Sequence, residues 1–468
     1  MRDFQSMRIQ ALKDGFRGSI LLPGDRDYDG ARKIWNAMID RRPALIARCA
    51  NSSDVIRTIH FARDHESLLA IRGGGHNIGG FSLCDDGIVL DLSRMKGATV
   101  DPVGRRATIE GGATLADFDE ATQEYGLATP LGINSTTGIG GLTLGGGFGW
   151  LSRKFGLTVD NLEFAEVVTA AGDLIRASAK ENQDLFWALR GGGGNFGVVT
   201  RFGFRLHPLG PGVLSGLIAY PLAGGKDILR QYREFMSKAP EELTVWVIMR
   251  QAPPLPFLPE QVHGQGIIVL AFLYAGDPQQ GEPLIEPLRK FGTPHGESVG
   301  VQPYQDWQRI FDPLLAPGAR NYWKSHNFSS LKDGLFDAAL KYGESFPSPQ
   351  CEIFFGALGG AASRPAPNAA AYAQRDAQFV MNVHGRWENP ADDARCIGWA
   401  REIFKAATPF ATGGAYVNFM TADEGDRVRS AYGANYDRLA QVKTAYDPEN
   451  FFRMNHNIQP ILEEADLA

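Results

Sequence analysis

Apolar and polar positions change their period twice along the chain. Between Ala44 and Pro208, short apolar runs alternate with segments of helical spacing. ALIARCA, LLAIR at 68–72, GIVLDL at 87–92 and RATIE at 106–110 read as strands. Ser53 is placed to cap a helix through His65, and Thr114 to open one that runs to Tyr125. FAEVVTAAGDLIRAS at 164–178 reads as a hairpin turning at Ala171–Gly172–Asp173, followed by the helix ENQDLFWALR and the strand GVVTRFGFRL. Pro208, Gly210, Pro211 and Gly212 then cluster as structure breakers and mark a boundary.

Beyond that boundary the strands lengthen. ELTVWVIMRQ, GIIVLAFLYAG, CEIFFGALGG and FVMNVHGRW have the pattern of an antiparallel sheet, separated by helices at 226–238, 329–343 and 391–406. APPLPFLPEQ at 252–261 reads as a loop, and no repeat is visible. After about Gly413, AYVNFM, a helix near 423–431 and YDPENFFRMNHNIQP read as a return to the first block. The expected units are therefore 1–209 (core about 40–209), 210–412 and 413–468.

A chain of 468 residues is long for one domain, and its 44% hydrophobic and 21% charged content fits large packed cores. Lys+Arg at 47 against Asp+Glu at 53 leaves −6, which argues against a broad basic nucleic-acid face. Cys49, Cys84, Cys351 and Cys396 are too scattered for a zinc site or a disulfide framework. MRDFQSMRIQALKDGF lacks the apolar stretch of a signal peptide, and no segment has the length of a membrane span. The expectation is a cytoplasmic protein that engages neither membrane nor nucleic acid.

The composition has one unusual feature, 55 glycines, concentrated in three runs. Arg72–Gly73–Gly74–Gly75–His76–Asn77 follows a strand. Gly138 to Gly141 with Gly145 to Gly149 form the second run, and Arg190 to Asn195 with Gly197 the third. Each alone could be a tight turn, but three in one domain point to backbone N–H groups approaching a pyrophosphate. Gly192, Gly194 and Gly197 also fit G-x-G-x-x-G, yet they follow a helix and precede a strand, which is the wrong context for a dinucleotide fingerprint. Gly296–Glu297–Ser298–Val299–Gly300 matches a nucleophile elbow without a helix after it. His76, inside the first run, either makes a local hydrogen bond or acts as a nucleophile toward an electrophilic cofactor.

RGGGHN, PLGINSTTGIGGLTLGGGFGWLSRKFGLTVDNL, DLFWALRGGGGNFGVVTRF and YDPENFFRMNHNIQP, in that order, resemble the berberine bridge enzyme-like flavoproteins of the vanillyl-alcohol oxidase / p-cresol methylhydroxylase superfamily. The resemblance implies an α+β fold: an FAD-binding domain of two subdomains (1–209), a substrate domain with a large antiparallel sheet (210–412) and a C-terminal segment completing the flavin site (413–468). It implies FAD bound covalently through His76. Arg72, Gly73, Gly74, Gly75, Asn77 and Gly79 would surround the pyrophosphate, and Gly138, Gly140, Gly141, Gly145 and Val199 would line the rest of the cofactor. Asn455 and Asn457 match tail residues near the isoalloxazine.

Doubly linked members carry a cysteine where this chain has Asn134, and a carboxamide is no nucleophile toward the flavin, so a single histidyl bond is expected. Thr137 occupies the position facing the flavin's oxygen-reactive side, where a small residue admits O2. The family's Y-x-N-Y reads Tyr416–Val417–Asn418–Phe419 here, lacking the second tyrosine. Glu352, a carboxylate in an apolar strand, is then either solvent-facing or a buried general base with a raised pKa. Asn382 and His384 share one strand face, lining the same cleft or facing solvent. The implied activity is oxidation of an alcohol or amine C–H centre of a small organic metabolite with O2 as acceptor. A flavin-dependent oxygenase of a polyketide-like substrate, an acceptor-specific dehydrogenase and a non-catalytic flavin-storing protein are the alternatives. The expected partners are a small-molecule substrate and O2, with a homodimer allowed for.

Overall fold

A computed structural model describes residues 9–461. The N-terminal reading above therefore lies outside the described residues over positions 1–8. Three main sheets organise the chain. In the first, β1 (Ser19–Leu21), β2 (Leu45–Arg48), β3 (Leu69–Arg72) and β4 (Ile88–Asp91) stand in the order β1-β2-β4-β3. β2, β4 and β3 run parallel, with α1 (Ser52–Asp64) as the crossover between β2 and β3. Parallel strands buried on both faces need apolar residues throughout, which is why these segments read as continuous apolar runs. The α1 cap is Asn51, whose side chain accepts from Asp54 N at 3.0 Å; Ser53 lies inside the helix.

The second sheet is antiparallel, β5-β6-β9-β7-β8, from β5 (Ala98–Asp101), β6 (Arg106–Glu110), β7 (Leu162–Val168), β8 (Leu174–Ser178) and β9 (Val198–Arg205). β7 and β8 form the hairpin, with Gly172 at φ +90° in its turn. α2 (Leu115–Gln123) opens on a capping box between Thr114 and Asp117. α3 (Ile139–Leu144) is built from the second glycine run, and α4 (Gln183–Leu189) precedes the third.

The third sheet has seven antiparallel strands in the order β13-β10-β12-β11-β15-β16-β14. Their ranges are β10 (Gly212–Pro221), β11 (Leu243–Gln251), β12 (Gly266–Tyr274), β13 (Gly296–Pro303), β14 (Arg320–Phe328), β15 (Glu352–Ala357) and β16 (Phe379–Trp387). The residue pattern picks out four of these. β10 is hidden because its first residue, Gly212, belongs to the breaker cluster, and β14 because polar side chains interrupt it. β13 carries Gly296–Gly300 along the edge of the sheet, so no nucleophile elbow exists there. α5 (Gly225–Met236), α6 (Asp333–Gly343) and α7 (Asp393–Ala407) pack together on this unit, α6 against α5 and α7, and α7 against β14 and β16. Alternate residues of β11, β15, β16 and β14 point instead into a cleft shared with the glycine runs.

The tail joins the core of the second sheet, where Val417, Met420, Leu439 and Ile458 are buried. Its helical turns are Val428–Tyr432 and α8 (Tyr436–Tyr446), later than the helix read near 423–431. Lys443 of α8 is fully buried and donates to Asp447 Oδ2 (2.6 Å), Asn195 O (2.8 Å) and Phe452 O (2.9 Å). A buried ammonium is tolerable because three oxygens share its protons.

Candidate active site

Two of the three glycine runs meet backbone to backbone. A Cβ on Gly74 would stand 2.3 Å from Gly138 N, and one on Gly138 would stand 2.2 Å from Gly74 N. No side chain fits at either position, so the two loops close into one cradle. That cradle borders a cavity of about 260 Å³ whose other walls are the seven-stranded sheet and the tail. Gly73, Gly74, Gly75, His76, Asn77, Asn134, Thr137, Gly138 and Gly141 border it, as do Glu352, Asn382, His384 and Tyr416.

Other expected cofactor residues do not border this cavity. The Val199 side chain is in the core of the second sheet. Gly140 packs where a Cβ would lie 3.0 Å from Gly111 O, and Gly145 where one would strike the Asn418 side chain. Gly79 is closed in by Phe81 and the Ala422 backbone. Arg72 turns away to donate to Ala31 O. Asn455 donates to Gly194 O (3.2 Å) and Phe452 O (2.9 Å), while its Oδ1 and that of Asn457 are buried without partners. The third glycine run anchors the tail: Asn195 donates to Gly192 O and His456 O and accepts from Ile458 N.

His76 is held on three sides. Its ring stacks on Trp35, with centroids 5.3 Å apart and planes 20° from parallel. Nε2 lies 2.9 Å from Thr136 Oγ1, and Nδ1 is 3.5 Å from Thr137 Oγ1. The proton on the ring can be located. Thr136 N donates to Asn134 Oδ1 (3.1 Å), so that atom is an acceptor, and the Thr136 hydroxyl also donates to it (2.7 Å). Thr136 Oγ1 therefore accepts from His76 Nε2–H, and Nδ1 keeps its lone pair, with the Thr137 hydroxyl 3.5 Å away. Burial pushes the imidazole down to about 4, so at neutral pH the ring is uncharged.

On the facing sheet, register puts one cross-strand row together: Arg250 of β11 opposite Glu352 of β15, Glu352 opposite His384 of β16, and His384 opposite Trp323 of β14. The next row is Ile248, Phe354, Asn382 and Ser325. Arg250 Nη1 donates to Glu352 Oε2 at 3.0 Å, and His384 Nδ1 lies 3.4 Å from Glu352 Oε1. Burial alone would raise the Glu352 carboxyl. The His384 hydrogen bond and the charges of Arg250, His384 and Arg386 outweigh it and hold the carboxyl below its ordinary range. The expected raised pKa is thus corrected: the strand residue is partly buried against the cavity, but a cation sits beside it. Asn321 donates through Nδ2 to Ala319 O (2.8 Å), so its Oδ1 faces His384 Nε2 (3.0 Å) and Arg386 Nη1 (3.2 Å), and His384 carries its proton on Nε2. Burial, against the pull of Glu352, keeps His384 below its usual value.

Tyr416 accepts at its hydroxyl from Gly147 N (3.2 Å) and Asn418 Nδ2 (3.0 Å), and burial pushes it up to about 12. Phe419, in place of the second tyrosine of the motif, packs edge-on against both Tyr416 and Trp323. Four site residues escape sequence reasoning: Trp35, Thr136, Trp323 and Arg250. Arg250 carries the same signal as Glu352, a lone charge in an apolar strand, and Thr136 sits between Asn134 and Thr137. Nothing local marks the two tryptophans.

A glycine cradle closed backbone to backbone, orphaned carboxamide oxygens on the tail and a cleft against an antiparallel sheet define a flavoprotein oxidoreductase of two-part architecture. Residues 43–178 match the model of an FAD binding domain and residues 415–459 that of berberine and berberine-like proteins. An FAD-linked oxidoreductase of Dictyostelium discoideum is 32% identical over 97% of each chain. The (R)-6-hydroxynicotine oxidase of Paenarthrobacter nicotinovorans is 32% identical over 95% of this chain and 97% of its own. The solved 6-hydroxy-D-nicotine oxidase of Arthrobacter nicotinovorans superimposes with a TM-score of 0.86 at 29% identity, covering 95% and 98%. A berberine bridge enzyme-like protein of Physcomitrella patens shares the fold at a TM-score of 0.87 and 22% identity, covering 98% and 100%. The chain belongs to the berberine bridge enzyme-like FAD-linked oxidoreductases. No helix among the described residues is long and apolar enough to cross a membrane.

Proposed function

We propose that this enzyme is an FAD-dependent oxidase that holds FAD through one covalent bond to His76 and oxidises an alcohol or amine C–H centre of a small organic molecule, with O2 as acceptor. The observation that carries the reading is the unprotonated Nδ1 of a neutral His76 beside the glycine cradle, its ring fixed by Thr136 and Trp35. The residues fit the cofactor: Gly73 to Gly75, Gly138 and Gly141 leave its path free of side chains, and Asn455 and Asn457 offer unpaired oxygens. Bound FAD supplies a hydride acceptor that O2 reoxidises.

The chain's own groups handle the proton. Glu352 Oε1 and His384 Nδ1 face each other across 3.4 Å, close enough to share one proton. A proton leaving a substrate hydroxyl or amine lands in that gap, where the resulting imidazolium is paired with the carboxylate. Aromatic walls from Trp246, Phe354 and Trp323 exclude water around the reacting bond. Thr137, small and bordering the cavity, leaves room for O2.

Acid-precipitated protein should keep its yellow colour on one peptide containing His76, and His76→Ala should release free FAD. Flavin on any other residue, or free FAD from the parent protein, overturns the attachment. Anaerobic bleaching by an alcohol or amine panel, with colour returning in air, tests the oxidase.

A further inference from the structure

The cleft wall carries a guanidinium whose second arm the ion pair with Glu352 leaves unused. Glu352 is the one carboxylate bordering the cavity among the described residues, and both its oxygens are engaged, by Arg250 and His384. Two guanidiniums flank it. Arg386 lies behind His384, bonded only to the neutral oxygens of Asn321 (3.2 Å) and Ala316 (2.5 Å). Arg250 borders the cavity with 8% of its surface exposed. Of these charges only Arg250 and Glu352 border the cavity; Arg386 lies outside its lining, with the charge of Glu388 acting on it.

Arg250 is also incompletely used. Nε donates to Gln251 O at 3.3 Å and Nη1 to Glu352, while Nη2 has no partner among the described residues. It is not one of the sealed, orphaned polar atoms of the interior, so its protons remain reachable from the cavity. One row further along, Asn382 is 5% exposed and makes no side-chain hydrogen bond among the described residues; its Oδ1 is buried and bare. That oxygen is sealed from the cavity, so the group Asn382 offers there is its Nδ2 donor. Both ends of the wall thus offer donors: a free guanidinium arm on β11 and a carboxamide N–H on β16, two strand spacings of about 4.8 Å apart. Between them lie Phe354 and Ile248, with Trp246 and Trp323 at the sides.

We infer that the substrate is an aromatic compound bearing an anionic group, a carboxylate for example, which is bound by the free arm of Arg250, and that the cleft rejects ammonium substrates. A carboxylate on Nη2 gains a charge-assisted hydrogen bond in a dry, low-dielectric site. A substrate ammonium finds the one carboxylate bordering the cavity among the described residues already paired with Arg250. This rests on the proposed reading of the cleft as the substrate site, and it narrows that reading to one side of the alcohol-or-amine choice.

The test uses the purified full-length protein as isolated and three para-substituted benzyl alcohols that differ only in charge: 4-(hydroxymethyl)benzoate, benzene-1,4-dimethanol and 4-(aminomethyl)benzyl alcohol. Binding is measured by calorimetry at low salt. The carboxylate should bind at least tenfold more tightly than the neutral diol, and the ammonium more weakly than both. Raised salt should shrink the difference. Arg250→Met should bring the three to within a few-fold of one another. Because that variant leaves Glu352 without its partner, the charge-balanced Arg250→Met/Glu352→Gln pair is measured beside it, with the same expectation. Equal binding of the three, tightest binding of the ammonium, no carboxylate binding at millimolar concentration, or a carboxylate preference surviving in both variants overturns the inference. Calorimetry does not depend on flavin chemistry, so a colourless or redox-silent protein would sink the oxidase reading while this result stood separately.

Discussion

Arg250 and Glu352 face each other across β11 and β15, Nη1 to Oε2 at 3.0 Å, and each determines what the other can do. The guanidinium holds the carboxylate ionised in an aromatic-walled cleft. The carboxylate occupies one arm of the guanidinium and leaves the other free.

Arg250 is buried and Glu352 partly so, and breaking the pair from one side strands a charge. Glu352→Gln or Arg250→Met alone should each destabilise the fold by about 3 kcal/mol or more. The double variant should recover most of that loss, and thermal unfolding of the four proteins closes the cycle. Additive effects would show that the ion pair contributes nothing.

In the folded fraction of Glu352→Gln, substrate reduction of the flavin should slow by about two to four orders of magnitude, the usual worth of a positioned proton acceptor. Tyr416→Phe should slow it far less, since the Tyr416 hydroxyl is already occupied by Gly147 and Asn418 and titrates only at about 12. Against its burial, His384 and the neighbouring guanidiniums hold Glu352 below its ordinary value, and burial holds His384 below its own. The acid limb of the pH–rate profile therefore falls below the ordinary histidine range. Rapid-mixing anaerobic reduction across pH decides this, and a Tyr416→Phe defect exceeding that of Glu352→Gln reassigns the acceptor to the tyrosine.

Thr137 borders the cavity, with its hydroxyl 3.5 Å from His76 Nδ1. Thr137→Leu should slow air reoxidation of the reduced enzyme by tenfold or more, an effect large beside any change in anaerobic reduction. Equal slowing of both half-reactions would make this position part of the substrate wall.

Asp119 of α2 gives the fold a pH dependence. It is buried, accepts from Gln308 Nε2 (3.0 Å) through Oδ2 and has no partner at Oδ1. Burial raises its carboxyl from 3.8 to about 7. The folded state then binds a proton that the unfolded state has released, so stability is full below the unfolded value and falls as pH climbs toward 7. The loss is on the order of 4 kcal/mol, and it levels off above 7. Asp119→Asn should flatten melting temperature between pH 5 and 8, whereas a variant that tracks the parent would remove Asp119 as the cause.

Most strands of the first two sheets, though neither β1 nor β5, were legible because each keeps one local period: apolar runs for the parallel strands, alternation for the antiparallel ones. The glycine runs, His76, Asn134 and the tail motif were legible for another reason. Backbone approach to a cofactor demands particular residues at fixed spacing, and that demand is written in consecutive positions. The polar, edge-lying strands β13 and β14 escaped because their side chains face other elements, and a local window records no such partner. The state of Glu352 was decided only by tertiary structure. In sequence it is 102 residues from Arg250 and reads as a lone acid awaiting a raised pKa. The register of β11 against β15 places a cation 3.0 Å away, and at that distance charge pairing overrides desolvation. The same holds for Trp35 against His76: a ring stack between two loops leaves no trace in either loop's own pattern, because its partner is supplied by the fold.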